Sequence, residues 1–132
     1  RITGKVWNSV PLLIVRLSDG TYEGRGEGAG VYYRDDTPAT MIAQVEAVRG
    51  AIEAGISRQQ LQTLLPPGGA RNAVDCALWE LEARRAGTTV MALAGITRPR
   101  PLTTVCTVGA DTPEIMAQAA LAYGQVPALK LK

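Results

Sequence analysis

Residues 102–132 read LTTVCTVGADTPEIMAQAALAYGQVPALKLK, and this stretch decides the fold. Leu102 to Val108 is rich in apolar and β-branched residues, the composition of a strand. Thr112-Pro113-Glu114 is an N-cap followed by proline at the first helical position, and predicts a helix reaching about Tyr123. Ala128 to Lys132 again reads as a strand. Strand, helix and strand in that order predict a parallel pair joined by a right-handed crossover. Two parallel strands alone leave open edges and an uncovered apolar face. The stretch therefore reads as the opening of a parallel α/β domain that these 132 residues do not finish.

Upstream the pattern differs. Val10 to Leu17 predicts a strand, Asp19-Gly20 a hairpin turn, and Thr21 to Glu27 the returning partner. Residues 24–30 run Gly-Arg-Gly-Glu-Gly-Ala-Gly. A phosphate loop is not expected there, because Ala29 stands where the spacing needs glycine and no helix opens directly behind it. A mobile, glycine-permitted loop carrying Tyr32, Tyr33 and Arg34 is expected instead. Thr37-Pro38 predicts a helix running to about Ala54 and closed by Gly55. Ser57 with Gln60 forms a capping box for a short helix through Leu64, and Pro66-Pro67-Gly68-Gly69 breaks the chain. Ala70, Ala73, Val74, Ala77, Leu78 and Leu81 then recur at helical spacing, predicting a helix over 70–86 ended by Gly87. A short helix over Val90 to Ala94 follows. The chain thus divides into an α+β domain over 1–98 and the start of an α/β domain over 99–132.

Composition excludes several classes. The chain is 46% hydrophobic and 20% charged, with net charge +2. Its basic residues are scattered, so neither nucleic acid nor a membrane surface is an expected partner. No apolar run reaches the roughly 18 residues of a membrane span, and Arg1-Ile2-Thr3-Gly4 lacks the apolar core of a signal peptide. A cytoplasmic protein is expected, with Cys76 and Cys106 as buried reduced thiols rather than a disulfide pair. With no histidine, an ordinary zinc cluster is not expected either.

Lys130 and Lys132 are the candidate chemical groups. Alternation along a strand puts both on one face, with Leu129 and Leu131 on the other. Neighbouring ammonium groups depress each other's proton affinity, which helps to make a lysine basic near neutral pH. A charged edge strand that wards off aggregation would carry the same pair.

The stretch Gly69-Ala70-Arg71-Asn72-Ala73-Val74-Asp75-Cys76-Ala77-Leu78-Trp79-Glu80-Leu81-Glu82-Ala83-Arg84 resembles the helical signature of the muconate-lactonising subgroup of the enolase superfamily. Within that subgroup the chain is most similar to the dipeptide epimerases. Asp111-Thr112-Pro113-Glu114 and Leu129-Lys130-Leu131-Lys132 extend the likeness over nearly all of the chain. The resemblance implies an α+β capping domain, an antiparallel hairpin or meander plus helices, followed by the first β-α-β unit of an incomplete TIM-like β/α barrel. It implies an isomerase that abstracts the α-proton of a dipeptide carboxylate through an enolate. Cycloisomerase or o-succinylbenzoate synthase activity, or a non-catalytic binding module of the same fold, are the alternatives.

Lys132 matches the acid/base lysine of the family's Lys-x-Lys motif. Lys130 matches the first lysine, which binds the substrate carboxylate and holds down its partner's pKa. Thr107 matches a substrate-contacting threonine at the first barrel strand, and residues 28–36 match the loop that closes over substrate. Mg²⁺ is the implied cofactor, its acidic ligands lying on later strands than these, so no metal ligand is assigned here. A small carboxylate is the implied partner, with a homo-oligomer left open. Thr89 and Ala94 depart from the family's usual residues, and Lys5 is the nearest basic residue to the arginine that many epimerases carry in an N-terminal loop.

Overall fold

Strands β1 (Leu12–Ser18) and β2 (Glu23–Ala29) pair antiparallel, with Ser18 opposite Glu23 and Leu12 opposite Ala29. They are seen in a computed structural model that describes residues 8–132; Lys5 lies outside the described residues. The hairpin expected across Asp19-Gly20 is there, but the second strand begins at Glu23 rather than Thr21. The connection is four residues long because Asp19 builds a turn of its own. Its Oδ1 accepts the N–H groups of Thr21 and Tyr22, and Gly20 supplies a φ of 90°.

Six helices are described: α1 (Pro38–Ala47), α2 (Arg49–Glu53), α3 (Arg58–Leu64), α4 (Gly69–Arg85), α5 (Val90–Leu93) and α6 (Pro113–Ala122). The expected caps at Thr37 and Ser57 are formed. Thr37 with Thr40 closes one box at α1, and Ser57 with Gln60 closes the other at α3. The single helix expected to Ala54 is instead two, because Val48 leaves helical geometry at φ −112° and ψ 8°. Gly55, at φ 86°, ends the second piece.

The expected mobile glycine loop is corrected in part: the strand expected to end at Glu27 runs on to Ala29, and Gly24, Gly26 and Gly28 alternate inward, buried, while Glu23, Arg25 and Glu27 face out. A Cβ at Gly26 would run into the Ala73 carbonyl and the Ala77 amide; at Gly24, into the Ala77 carbonyl and Leu81; at Gly28, into Gly69. The glycines serve close approach of α4 rather than turn freedom. Directly across the ladder, Leu13, Val15 and Leu17 oppose Gly28, Gly26 and Gly24. Helix α4 therefore sits down on a side-chain-free track in β2, walled by the aliphatic residues of β1. Its own Ala73, Val74, Ala77 and Leu78 join Val15, Leu61 and Leu65 in the core, as the 3.6-residue spacing predicts.

By contacts the chain separates into two compact units, one spanning Val10–Thr97 and the other containing Arg98–Lys132. In the second, β3 (Cys106–Val108) pairs parallel with β4 (Leu129–Leu131) through the crossover helix α6. Thr112 caps α6 by accepting the Ile115 N–H. The strand expected from Leu102 forms only from Cys106. In this register Thr104 would face Pro127, which has no N–H to offer, so the ladder starts where the proline is past. Likewise β4 is three residues rather than five. Among the described residues no helix is long and apolar enough to cross a membrane.

Candidate active site

The β3–β4 ladder positions the residues singled out in the sequence. Thr107 stands directly opposite Lys130, so both belong to the same face of the pair. Val108 turns the other way and is 1% exposed, whereas Thr107 and Lys130 are open to solvent. Lys132 lies one residue past β4, yet its N–H still donates to the Val108 carbonyl at 3.2 Å. At the other end of the ladder the Cys106 N–H donates to the Ala128 carbonyl at 3.1 Å. The Tyr123 hydroxyl donates to the Thr107 carbonyl at 3.1 Å, pinning the end of α6 to the middle of β3. The result is a hydroxyl and an ammonium side by side on a short parallel ladder, with a second ammonium at its C-terminal end. Such a set can bind an anionic group and exchange a proton beside it.

Among the described residues no three His, Cys, Asp or Glu side chains gather closely enough to hold a metal ion. The acids on α4 are used otherwise. Glu80 accepts the Arg25 backbone N–H at 2.5 Å and the Arg84 guanidinium at 2.6 Å, and these bonds, the first above all, hold its carboxyl below the usual glutamate range. Glu82 pairs with Arg58 at 2.9 Å, and Asp75 accepts from the Gln62 amide at 3.3 Å. These acids bridge elements of the fold. The described residues do not fit a Mg²⁺ site.

Cys76 is exposed rather than buried, although partial burial and the neighbouring Asp75 raise its thiol pKa; Cys106 is half-buried, and both are free thiols. A groove of about 640 Å³ runs along β1 beside α1 and α2. Its Arg49 is paired with Glu46 and Glu53, its Glu82 with Arg58 and its Arg85 with Asp19, so these rim charges are engaged in holding the fold.

The loop after β2 carries a feature that the sequence did not reveal. A 3-10 turn over Tyr32–Arg34 leads into Asp35 at a left-handed φ of 53°, and the next residue, Asp36, reaches helix α4. Nothing periodic marks Asp36. The only signal was negative: Gly68, at the N-cap of α4, has no side chain with which to cap it.

A family model described as "Mandelate racemase / muconate lactonizing enzyme, N-terminal domain" matches residues 8–95. The chain is 39% identical to L-Ala-D/L-Glu epimerase of Escherichia coli (strain K12), over 92% of this chain and 38% of that protein. It is 30% identical to N-acetyl-D-glutamate racemase of a Pseudoalteromonas species, over 92% of this chain and 39% of that one. Among solved structures, an L-Ala-D/L-Glu epimerase superposes with a TM-score of 0.82 at 38% identity, covering 92% of this chain and 39% of that one. An enolase family member from Agrobacterium tumefaciens with homology to dipeptide epimerases, holding sodium and L-Ala-L-Glu with an ordered loop, gives 0.84 at 33% identity, covering 93% and 38%. The chain thus spans about two fifths of the length of these relatives.

Proposed function

The chain belongs to the mandelate racemase / muconate lactonizing enzyme family, and from that membership we propose that it forms part of an isomerase inverting the α-carbon of an N-acylated glutamate. The substrate class follows from chemistry shared by the two named relatives. In L-Ala-Glu the glutamate nitrogen is acylated by alanine, and in N-acetylglutamate by acetate. The dipeptide is the first candidate, because the Agrobacterium relative binds L-Ala-L-Glu.

In this reading residues 1–98 are the capping domain and residues 99–132 supply the first β-α-β unit of a β/α barrel. Barrel enzymes place their chemistry at the C-terminal ends of the strands; Lys132 stands just past β4, and Thr107 and Lys130 one residue before the ends of β3 and β4. The observation that carries the proposal is the parallel register that sets Thr107 beside Lys130, with Lys132 at the end of the same ladder.

The reaction dictates what these groups must do. A proton α to a carboxylate is very weakly acidic, because its removal leaves an enolate with charge on two neighbouring oxygens. Lys130, a fixed cation, binds the carboxylate and stabilises that growing charge, and Thr107 orients it by hydrogen bonding. Lys132 removes the proton from one face. Return of a proton to the opposite face gives inversion. Mg²⁺, which the resemblance implies, has no acid cluster to hold it among the described residues, so the chemistry assigned to this chain is that of its lysines. The working partner is a small carboxylate in the cytoplasm.

The test is deuterium exchange at the α-carbon of L-Ala-L-Glu and L-Ala-D-Glu by the full-length enzyme, wild type and Lys132→Ala. Loss of a general base costs roughly 10²- to 10⁴-fold, and the loss is expected for one isomer far more than for the other. Equal residual exchange from both isomers would remove Lys132 from a one-face role. Running N-acetylglutamate in parallel separates the two substrate readings.

A further inference from the structure

The bonds at the two ends of the β3–β4 ladder fix which backbone groups it uses. The Cys106 N–H donates to the Ala128 carbonyl, and the Val108 carbonyl accepts from Lys132. In the parallel pattern the residue between Cys106 and Val108 turns both of its backbone groups to the opposite edge. Thr107 is that residue, so its carbonyl points away from β4, and there it accepts the Tyr123 hydroxyl at 3.1 Å. On the ladder side, the Val108 N–H faces the carbonyl of Lys130, which the register sets opposite Thr107. The single peptide plane joining Thr107 to Val108 therefore links Tyr123 on one edge to Lys130 on the other.

Tyr123 is delivered to that place by the way α6 ends. It is the C-cap residue, still in helical geometry, and Gly124 follows at a left-handed φ of 63°. The Gly124 N–H closes back on the Leu121 carbonyl at 2.9 Å, so the turn is fixed immediately beside the ring. A hydrogen bond donated to an amide carbonyl polarises the peptide and strengthens the bond that its N–H makes. The Tyr123 hydroxyl thus reinforces the pairing of Thr107 with Lys130 from outside the ladder. A carbonyl oxygen accepts two hydrogen bonds, so this tether leaves room for the N–H of a further strand on the same edge.

We propose that Tyr123 is a positioning residue, acting through the Thr107–Val108 peptide to hold Thr107 in register with Lys130 where the two bind the substrate carboxylate. The role in binding rests on the function proposed above; the hydrogen-bonded chain from Tyr123 to Lys130 does not. Thr107 orients the carboxylate and takes no proton. Loss of the Tyr123 hydroxyl is therefore read in KM, while kcat stays near wild type.

Tyr123→Phe, made in the full-length enzyme, removes one oxygen and keeps the ring. Losing a neutral hydrogen bond corresponds to roughly two- to tenfold. KM for L-Ala-L-Glu is expected to rise about fivefold, with kcat within about twofold of wild type. A double-mutant cycle separates positioning from a merely structural role: in a Thr107→Val background, Tyr123→Phe is expected to change KM by less than about twofold. Amide hydrogen exchange at Val108 is expected to quicken about fivefold in Tyr123→Phe, with α4 unchanged. An equal rise of KM in both backgrounds, a fall in kcat at constant KM, or unaltered exchange at Val108 would each overturn the proposal. Exchange quickened uniformly over β3, α6 and β4 would also refute it, since the hydroxyl would then only hold the fold. If Thr107→Val is inactive, the KM and kcat of Tyr123→Phe together with exchange at Val108 decide. If the wild type turns over neither L-Ala-L-Glu nor N-acetylglutamate, the proposed function falls, and exchange at Val108 alone decides the hydrogen-bonded chain.

Discussion

Gly26→Ala is the substitution that most directly probes how the helix meets the hairpin. In an ordinary strand it would be helpful, since alanine restricts the unfolded chain and gains about 0.5–1 kcal/mol. Here the added methyl meets the Ala73 carbonyl, the Ala77 amide and the Cys76 Cβ. The first two are backbone atoms inside α4 and cannot swing aside as a side-chain tip does. Either β2 bends or the helix lifts, and lifting it also loosens Ala73, Ala77 and Val15 in the core. Overpacking of this kind costs about 1–3 kcal/mol, and backbone obstruction sets the expectation near the upper end, about 3 kcal/mol. For a unit of this size that is a fall in Tm of roughly 10–20 °C. The assay is thermal and urea unfolding followed by circular dichroism. Gly50→Ala serves as the internal control, because Gly50 lies within α2 with no atom inside 4 Å of the added methyl. It should stabilise by about 0.5–1 kcal/mol. A Gly26→Ala protein as stable as wild type would refute the close-approach account.

Other perturbations read different contacts. Asp19 accepts the Tyr22 N–H, bonds the Arg85 side chain and accepts the Thr21 N–H, and together these lower its pKa from 3.8 to about 2. A depressed carboxylate contributes stability that is complete above its unfolded value and lost as pH falls through the folded one. The contribution should thus fade between about pH 4 and pH 2 and be missing in Asp19→Asn; a carboxyl titration midpoint near 4, measured by NMR, would refute it. Arg58 lies 3.4 Å from the Trp79 ring centroid while bonding Glu82, so Arg58→Lys should cost about 0.5–2 kcal/mol and alter tryptophan emission. Unchanged emission and stability together would argue against the stack.

What the sequence disclosed depended on whether a residue's signal had one physical meaning. The alanine and leucine spacing of α4 can serve only one buried face, and the caps at Thr37 and Ser57 have one geometry, so both were legible. Glycine has two uses. Beyond Glu27 it was read as freedom to turn, whereas from Gly24 to Gly28 it is room for another backbone, a fact held by α4 nearly fifty residues away. Pro127 delayed β3 through the ladder, which no local reading of residues 102–105 could reveal. The lysine spacing marked Lys130 and Lys132, but that Thr107 would stand opposite Lys130 needed the register. Asp36 was invisible for the same reason: its partner Gly69 is remote, and a lone aspartate before Thr37-Pro38 has no pattern.

The track under α4 also works as a vernier. From Gly28 to Gly26 to Gly24 the strand advances two residues at a time, about 6.8 Å per step. The helix answers with Gly69, Ala73 and Ala77, four residues and about 6.0 Å per step. The two scales drift apart by about 0.8 Å at each mark, so the match spans three marks and then runs out. Sliding the helix by less than a full mark would drive its carbonyls against strand backbone, so α4 has a single detent on β2. Any movement of this unit must therefore carry hairpin and helix together.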